Sequence, residues 1–140
     1  MIEPASHTLT LPIQGEEGIV AARSRARELA RQLGFGMVDQ SRIATAVSEL
    51  TRNVVRYATG GEGEVVMRAV RDQSSRAGLE VVVSDRGPGI EDVELVMRDG
   101  YSSGSGLGLG LPGTRRLMDE LELESAPGRG TTVTIRKWRR

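Results

Sequence analysis

Polar and apolar residues follow one another in two rhythms, and the switches between them divide the chain into elements. Residues 7–13, HTLTLPI, alternate one by one, the period of a half-buried strand. Across residues 16–33 the period lengthens. Ile19, Ala22, Ala26, Leu29, Ala30 and Leu33 recur every three or four positions, one apolar stripe on a helix that GFG ends. Ile43, Val47, Leu50, Val54 and Ala58 step by four, three, four and four and predict a second helix, with Asp39 or Ser41 as its cap. TGGEG at 59–63 breaks it. Residues 64–71 and 79–84 read as two strands, joined by the polar DQSSRAG as a hairpin with a longer loop. DRGPGI is then a turn, 91–98 a short helix and DGYSSGSGLGLGLPG a loop. A further helix is expected to start inside that glycine run and to continue to Glu120. LELES and TTVTIRKW are the last two strands, split by APGRG. Strands grouped in hairpins with helices between them predict an α+β fold of two layers, a mixed sheet covered by helices on one face.

Composition narrows the class. A chain of 140 residues reads as a single domain, 1–140, large enough to bury a core without cross-links. No segment approaches the roughly 20 apolar residues of a membrane span, and the first residues lack the basic and apolar regions of a signal peptide. Cysteine is absent, which removes disulfide and thiolate chemistry and fits a cytoplasmic protein. Net charge is zero, so bulk electrostatics give no argument for nucleic acid. The basic residues are 18 arginines and one lysine, Lys137, and that imbalance tells against lysine-dependent phosphate motifs.

Four segments carry candidate chemistry. In SELTRNVVRYA, Glu49 and Asn53 are four residues apart and share one helix face. A carboxylate and an amide oxygen so placed can orient a hydroxyl or ligate a hard cation such as Mg2+. In VVVSDRGPGI, Asp85 follows a run of valines and precedes Gly87 and Gly89. An acid at a strand end can accept a hydrogen bond from a ligand's amino group, and the glycines let that ligand approach the backbone. GSGLGLGLPG holds Gly104, Gly106, Gly108 and Gly110 ahead of a helix, where backbone N–H groups can wrap phosphates. The formal dinucleotide fingerprint inside it, GLGLPG, follows polar loop rather than strand and contains Pro112, so the match is accidental. In GRGTT, Thr131 and Thr132 could meet a ligand or cap a turn. Each segment alone also has a plain reading: a solvated Glu49, an Asp-Arg-Gly turn, a flexible linker.

In this order, however, an E-x-x-x-N helix, a D-x-G-x-G strand end, a G-x-G-x-G loop before a helix and a G-T-T strand resemble the GHKL, or Bergerat-type, ATPases over residues 39–135. A chain this short is similar to the bare ATPase domain of the serine/threonine kinases in bacterial partner-switching systems. TRNVVRYA and GLGLPGTRRLMDE resemble the RsbT-type subfamily in particular; anti-sigma factor kinases usually have another residue where Arg52 stands and a histidine where Tyr57 stands. The resemblance implies a kinase that uses ATP and Mg2+ to phosphorylate Ser or Thr on STAS-domain antagonist proteins of a stressosome-like complex. It also implies a protein that binds and activates a PP2C-type phosphatase, with neither nucleic acid nor membrane as partner. By the same resemblance Glu49 would be the base, Asn53 would ligate Mg2+ and Asp85 would take the adenine amino group. Gly87 and Gly89 would shape the adenine pocket, with Thr131 or Thr132 beside it, and Gly104, Gly106, Gly108 and Gly110 would hold phosphates. Arg115 and Arg116 are open between a phosphate or acidic-partner role and plain i,i+4 pairing with Asp119 and Glu120. The alternatives that remain are an anti-sigma factor kinase, a nucleotide-tuned regulator that sequesters a sigma factor, and a nucleotide-binding domain without transfer activity.

Overall fold

The computed structural model describes residues 8–87, 97 and 110–140. Its elements are β1 (Leu9–Gln14), α1 (Gly15–Gln32), α2 (Met37–Tyr57), a 3-10 turn (Thr59–Gly61), β2 (Glu62–Arg71), β3 (Ala77–Asp85), α3 (Leu111–Leu117), β4 (Glu120–Ser125) and β5 (Thr131–Trp138). The helix expected at 91–98 and most of the glycine loop lie outside the described residues.

The five strands form one sheet in the order β1-β2-β3-β5-β4. The α+β expectation holds, but the sheet is antiparallel at every adjacent pair rather than mixed. The reason is a matter of counting passes. Two helices separate β1 from β2, so the chain returns to the end it left and β2 runs opposite to β1. β3 and β4 point the same way, but β5 lies between them and opposes both.

The apolar stripes pack as their spacing requires. Ile19, Ala22, Ala26, Leu29, Ala30 and Leu33 of the first stripe are all buried, and its alanines let α1 lie close on α2. α2 is the central helix, with Ile43, Ala44, Ala46, Val47, Leu50, Thr51 and Val54 buried. Beneath it the sheet presents Ile13, Val65, Met67, Leu79, Val81, Val83, Val133 and Ile135, every second residue of its strands. On the opposite face of the sheet Glu80, 5% exposed, is held by Arg68 Nε at 2.6 Å and Arg136 Nε at 2.8 Å. Arg136 reaches on to Glu120 and Glu122.

Two helix boundaries differ from the pattern. α2 begins at Met37 with Gly36 as its N-cap, not at Asp39 or Ser41. Its first residues, Met37 and Val38, are exposed and so give no periodic signal, while Asp39 faces Arg42 at 3.0 Å and Lys137 at 3.7 Å. α3 stops at Leu117, three residues short of Glu120. Lys137 Nζ donates to the Leu117 carbonyl at 2.9 Å, and the Asp119 N–H already bonds to the Arg136 carbonyl, so the chain has turned into the sheet. The helix thus ends before it could set Arg115 and Arg116 one turn from Asp119 and Glu120. Asp119 instead binds Arg140 and the Trp138 N–H, and Glu120 binds Arg136 and the Trp138 indole.

Candidate functional site

Asp85 is the last residue of β3, in register with Gly63 of β2 on one side and Thr131 of β5 on the other. Its parity with Val81 and Val83 turns it toward the helix layer. Its Oδ1 accepts the Gly87 N–H at 2.7 Å. Burial pushes the carboxyl above the ordinary aspartate value, and the backbone N–H groups of Gly87 and Thr131 offset part of that rise. Among the described residues Asp85 has no ion-pair partner.

Close backbone approach frames this acid. A Cβ on Gly87 would lie 2.9 Å from Ala58 Cα and 3.2 Å from the Tyr57 carbonyl, so the strand end presses on the C-terminus of α2. A Cβ on Gly130, where φ is +76°, would collide with the Asp85 carbonyl, and one on Gly63 with the Ser84 carbonyl. Ser125 Oγ donates to the Gly130 carbonyl at 2.8 Å and lies 3.0 Å from Thr131 Oγ1, fixing the start of β5. Thr131 thus joins Asp85, whereas Thr132 pairs with Ser84 and Glu124 on the other face of the sheet. A cleft of about 610 Å³ opens at this end of the strands, lined by Glu62, Gly63, Glu64, Ser84, Asp85 and Arg86, with Glu64 and Ser84 on the sheet face away from α2.

Glu49 and Asn53 stand one turn apart on α2, and both are partly exposed. Glu49 Oε2 lies 3.5 Å from Arg52 Nη1, an i,i+3 ion pair along α2. Gly110, the N-cap of α3, has φ +66°, and a Cβ there would sit 3.4 Å from both Cγ and Oε1 of Glu49. The start of α3 is secured at that point: Leu111 is buried, and Thr114 returns both its N–H and its hydroxyl to the Gly110 carbonyl at 3.0 Å. The two Glu49 oxygens are thereby divided, one toward Arg52 and one toward the end of the glycine loop.

The two halves share one ruler. From Glu49 to Ala58, where Gly87 abuts α2, is nine residues, about 13 Å along the axis at 1.5 Å per residue, with Asn53 between. Of the expected site residues, Glu49, Asn53, Asp85, Gly87, Gly110 and Thr131 come to this end of α2 and β3. Gly89, Gly104, Gly106 and Gly108 lie outside the described residues. Gly63, Gly130 and Ser125 were missed. A glycine at a strand end signals close backbone approach, but what it approaches depends on register.

An uncompensated, partly buried carboxylate beside glycine-tight backbone suits a ligand bearing a hydrogen-bond donor. The chain belongs to the histidine kinase-like ATPase domain family, whose model matches residues 15–137. It is 50% identical over 128 residues to the serine/threonine-protein kinase RsbT of Bacillus subtilis (strain 168), covering 91% of this chain and 94% of that protein. It is 32% identical over 120 residues to the anti-sigma F factor of Thermoanaerobacter sp. (strain X514), covering 84% and 82%. In fold it is similar to the RsbU and RsbW domains of Rv1364c from Mycobacterium tuberculosis, with a TM-score of 0.62, 23% identity, and coverage of 95% of this chain and 33% of that one. The protein is an ATP-using enzyme, a protein serine/threonine kinase. No described helix is long and apolar enough to cross a membrane.

Proposed function

We infer that this kinase transfers the γ-phosphoryl group of Mg-ATP to a Ser or Thr hydroxyl on STAS-domain antagonist proteins of a stressosome-like, partner-switching complex, and that it also binds and activates a PP2C-type phosphatase. The observation that carries the reading is the α2 ruler: an acceptor for adenine at its C-terminus and a carboxylate about 13 Å back along the helix. Asp85 accepts the adenine amino group, and Gly87 and Gly89 leave room for the ring beside Thr131. Asn53 would hold Mg2+ through its side-chain oxygen. Gly104, Gly106, Gly108 and Gly110 would hold the phosphates. Mg2+ supplies charge neutralisation on the triphosphate.

Glu49 takes the proton of the acceptor hydroxyl as its oxygen bonds to the γ-phosphorus and the bond from that phosphorus to the bridging oxygen breaks, with ADP leaving. Phosphoryl transfer asks mainly for positioning and charge, which a helix and a run of backbone N–H groups can provide without a Walker lysine. A reaction that consumes ATP and meets such partners belongs in the cytoplasm.

The test is incubation with Mg-ATP and STAS-domain proteins, with acceptor mapping by mass spectrometry. Glu49→Gln should lower transfer by about 10²- to 10⁴-fold, the range for a general base, and leave ATP affinity within about twofold. Transfer undiminished in this variant removes Glu49 from the role, and ATP binding with no transfer to any such protein removes the substrate class. A second reading, a nucleotide-tuned regulator that sequesters a sigma factor, is favoured by the similarity to an anti-sigma F factor. Capture of a sigma factor by the Glu49→Gln protein in the presence of ATP would support it.

A further inference from the structure

A groove of about 580 Å³ lies between α1 and α2, with Glu49 on its wall. Its walls include Arg23, Ser24 and Arg27 from α1 and Ser48, Glu49 and Arg52 from α2. Three guanidiniums face a single carboxylate, and that carboxylate is paired with Arg52. Arg27 donates to Ser41 Oγ at 3.3 Å and meets no carboxylate among the described residues, and Arg23 has no ion pair there either. The Ser48 hydroxyl, on a residue 8% exposed, has no hydrogen-bond partner among the described residues. A buried hydroxyl without a partner is costly, but this oxygen is closed to solvent, so the charge on the walls is what the groove offers to a bound chain.

We propose that this groove is the docking track for the substrate-protein segment that carries the acceptor hydroxyl, and that Arg23 and Arg27 recognise acidic side chains on that segment. The inference rests on Glu49 being the base. One end of the groove is then the point where the hydroxyl must arrive, and the rest runs toward excess positive charge. The geometry also sets a spacing. Arg27 sits opposite Ser41, eight residues from Glu49 along α2, about 12 Å at 1.5 Å per residue. An extended segment rises about 3.3 Å per residue, so an acid three or four positions from the acceptor reaches Arg27, and a nearer one reaches Arg23. Charge-assisted, bidentate pairing is the way a guanidinium selects a carboxylate.

The experiment uses the full chain, Mg-ATP and a STAS-domain protein that the wild type phosphorylates. Arg23→Gln and Arg27→Gln should each raise KM for that protein about tenfold, with kcat and ATP affinity within about twofold. The double variant should raise KM about a hundredfold, since each arginine supplies one charge-assisted pairing to the bound segment. A thermal melt of each variant verifies folding, and Arg23, with no side-chain partner among the described residues, is the control for altered packing. Arg27→Glu should be rescued by an arginine placed at the acid three or four positions from the mapped acceptor. If KM is unchanged in both single variants, or if the charge swap restores nothing, the docking track is wrong while the kinase reading stands. If the wild type phosphorylates no STAS-domain protein, the functional reading falls and takes this proposal with it.

Discussion

Strand β3 carries two poorly hydrated carboxylates five residues apart, and alternation puts them on opposite faces of the sheet. Burial pushes Glu80 up, but hydrogen bonds from Arg68 and Arg136 more than reverse it, so it stays below the ordinary glutamate value. Burial pushes Asp85 up as well, and the backbone N–H groups of Gly87 and Thr131 return only part of that. One acid has its charge cancelled by cations within the protein; the other has no ion pair among the described residues and, on the proposed function, meets the ligand. The contrast separates structure from function on a single strand, because a cation beside Asp85 would have stabilised the free protein and competed with a ligand's amino group.

That comparison can be broken most directly at Asp85. Asp85→Asn should weaken ATP-analogue binding by about a hundredfold or more, by analogy with loss of a charged hydrogen bond. The melting temperature of the ligand-free protein should stay level or rise, since a desolvated charge is removed. A drop in stability equal to that of a Glu80 variant would erase the distinction. Glu80→Gln should do the reverse. Loss of a buried, doubly bonded carboxylate costs about 1–3 kcal/mol, read as a fall of several degrees in the melt, with nucleotide affinity unchanged. Gly87→Ala forces a methyl group against Ala58 and should cost about 1–3 kcal/mol, the range for overpacking, with a parallel loss of nucleotide affinity because the same close approach sets the pocket.

Acidity sharpens the contrast further, because the two shifts have opposite signs. The stabilisation from Glu80 is present above the unfolded carboxylate value and is lost as pH falls through its lowered folded value. Asp85 holds its proton more tightly when folded, so ionising it weakens the fold as pH rises through its raised value. Recognition by the ionised oxygen fades as pH falls through that same value. Nucleotide affinity, followed by titration, should therefore decline on acidification before the melting temperature does. Glu80→Gln should flatten the acid limb of stability and leave the affinity limb in place.

Local periodicity made much of this legible. The six residues of the α1 stripe and the Ile43–Val47–Leu50–Val54 face of α2 are buried as their spacing demands. Glu49 and Asn53 could be paired because helix geometry is local, and Asp85 was marked by the valines before it and the glycines after it. What escaped was set by contacts distant in sequence. The insertion of β5 between β3 and β4 made the sheet antiparallel, and no local pattern encodes that neighbour. Lys137 alternates with Val133 and Ile135 on the core face, and it ends α3 by taking the Leu117 carbonyl. Gly63 and Gly130 acquire their meaning only when register brings them beside Ser84 and Asp85.

The place of β5 has a consequence for how the fold is reached during synthesis. Residues 131–138 supply the partner on both sides, to β3 and to β4, and Val133 and Ile135 complete the apolar layer under α2. Until they leave the ribosome, β3 has an open edge beside Val81 and Val83, and β4 has no neighbour at all. Such topology, with late and distant pairings, folds slowly and leaves an unpaired strand edge on offer to other chains. A nascent chain stalled near residue 130 should therefore bind chaperones strongly, and release from them should await the final strand.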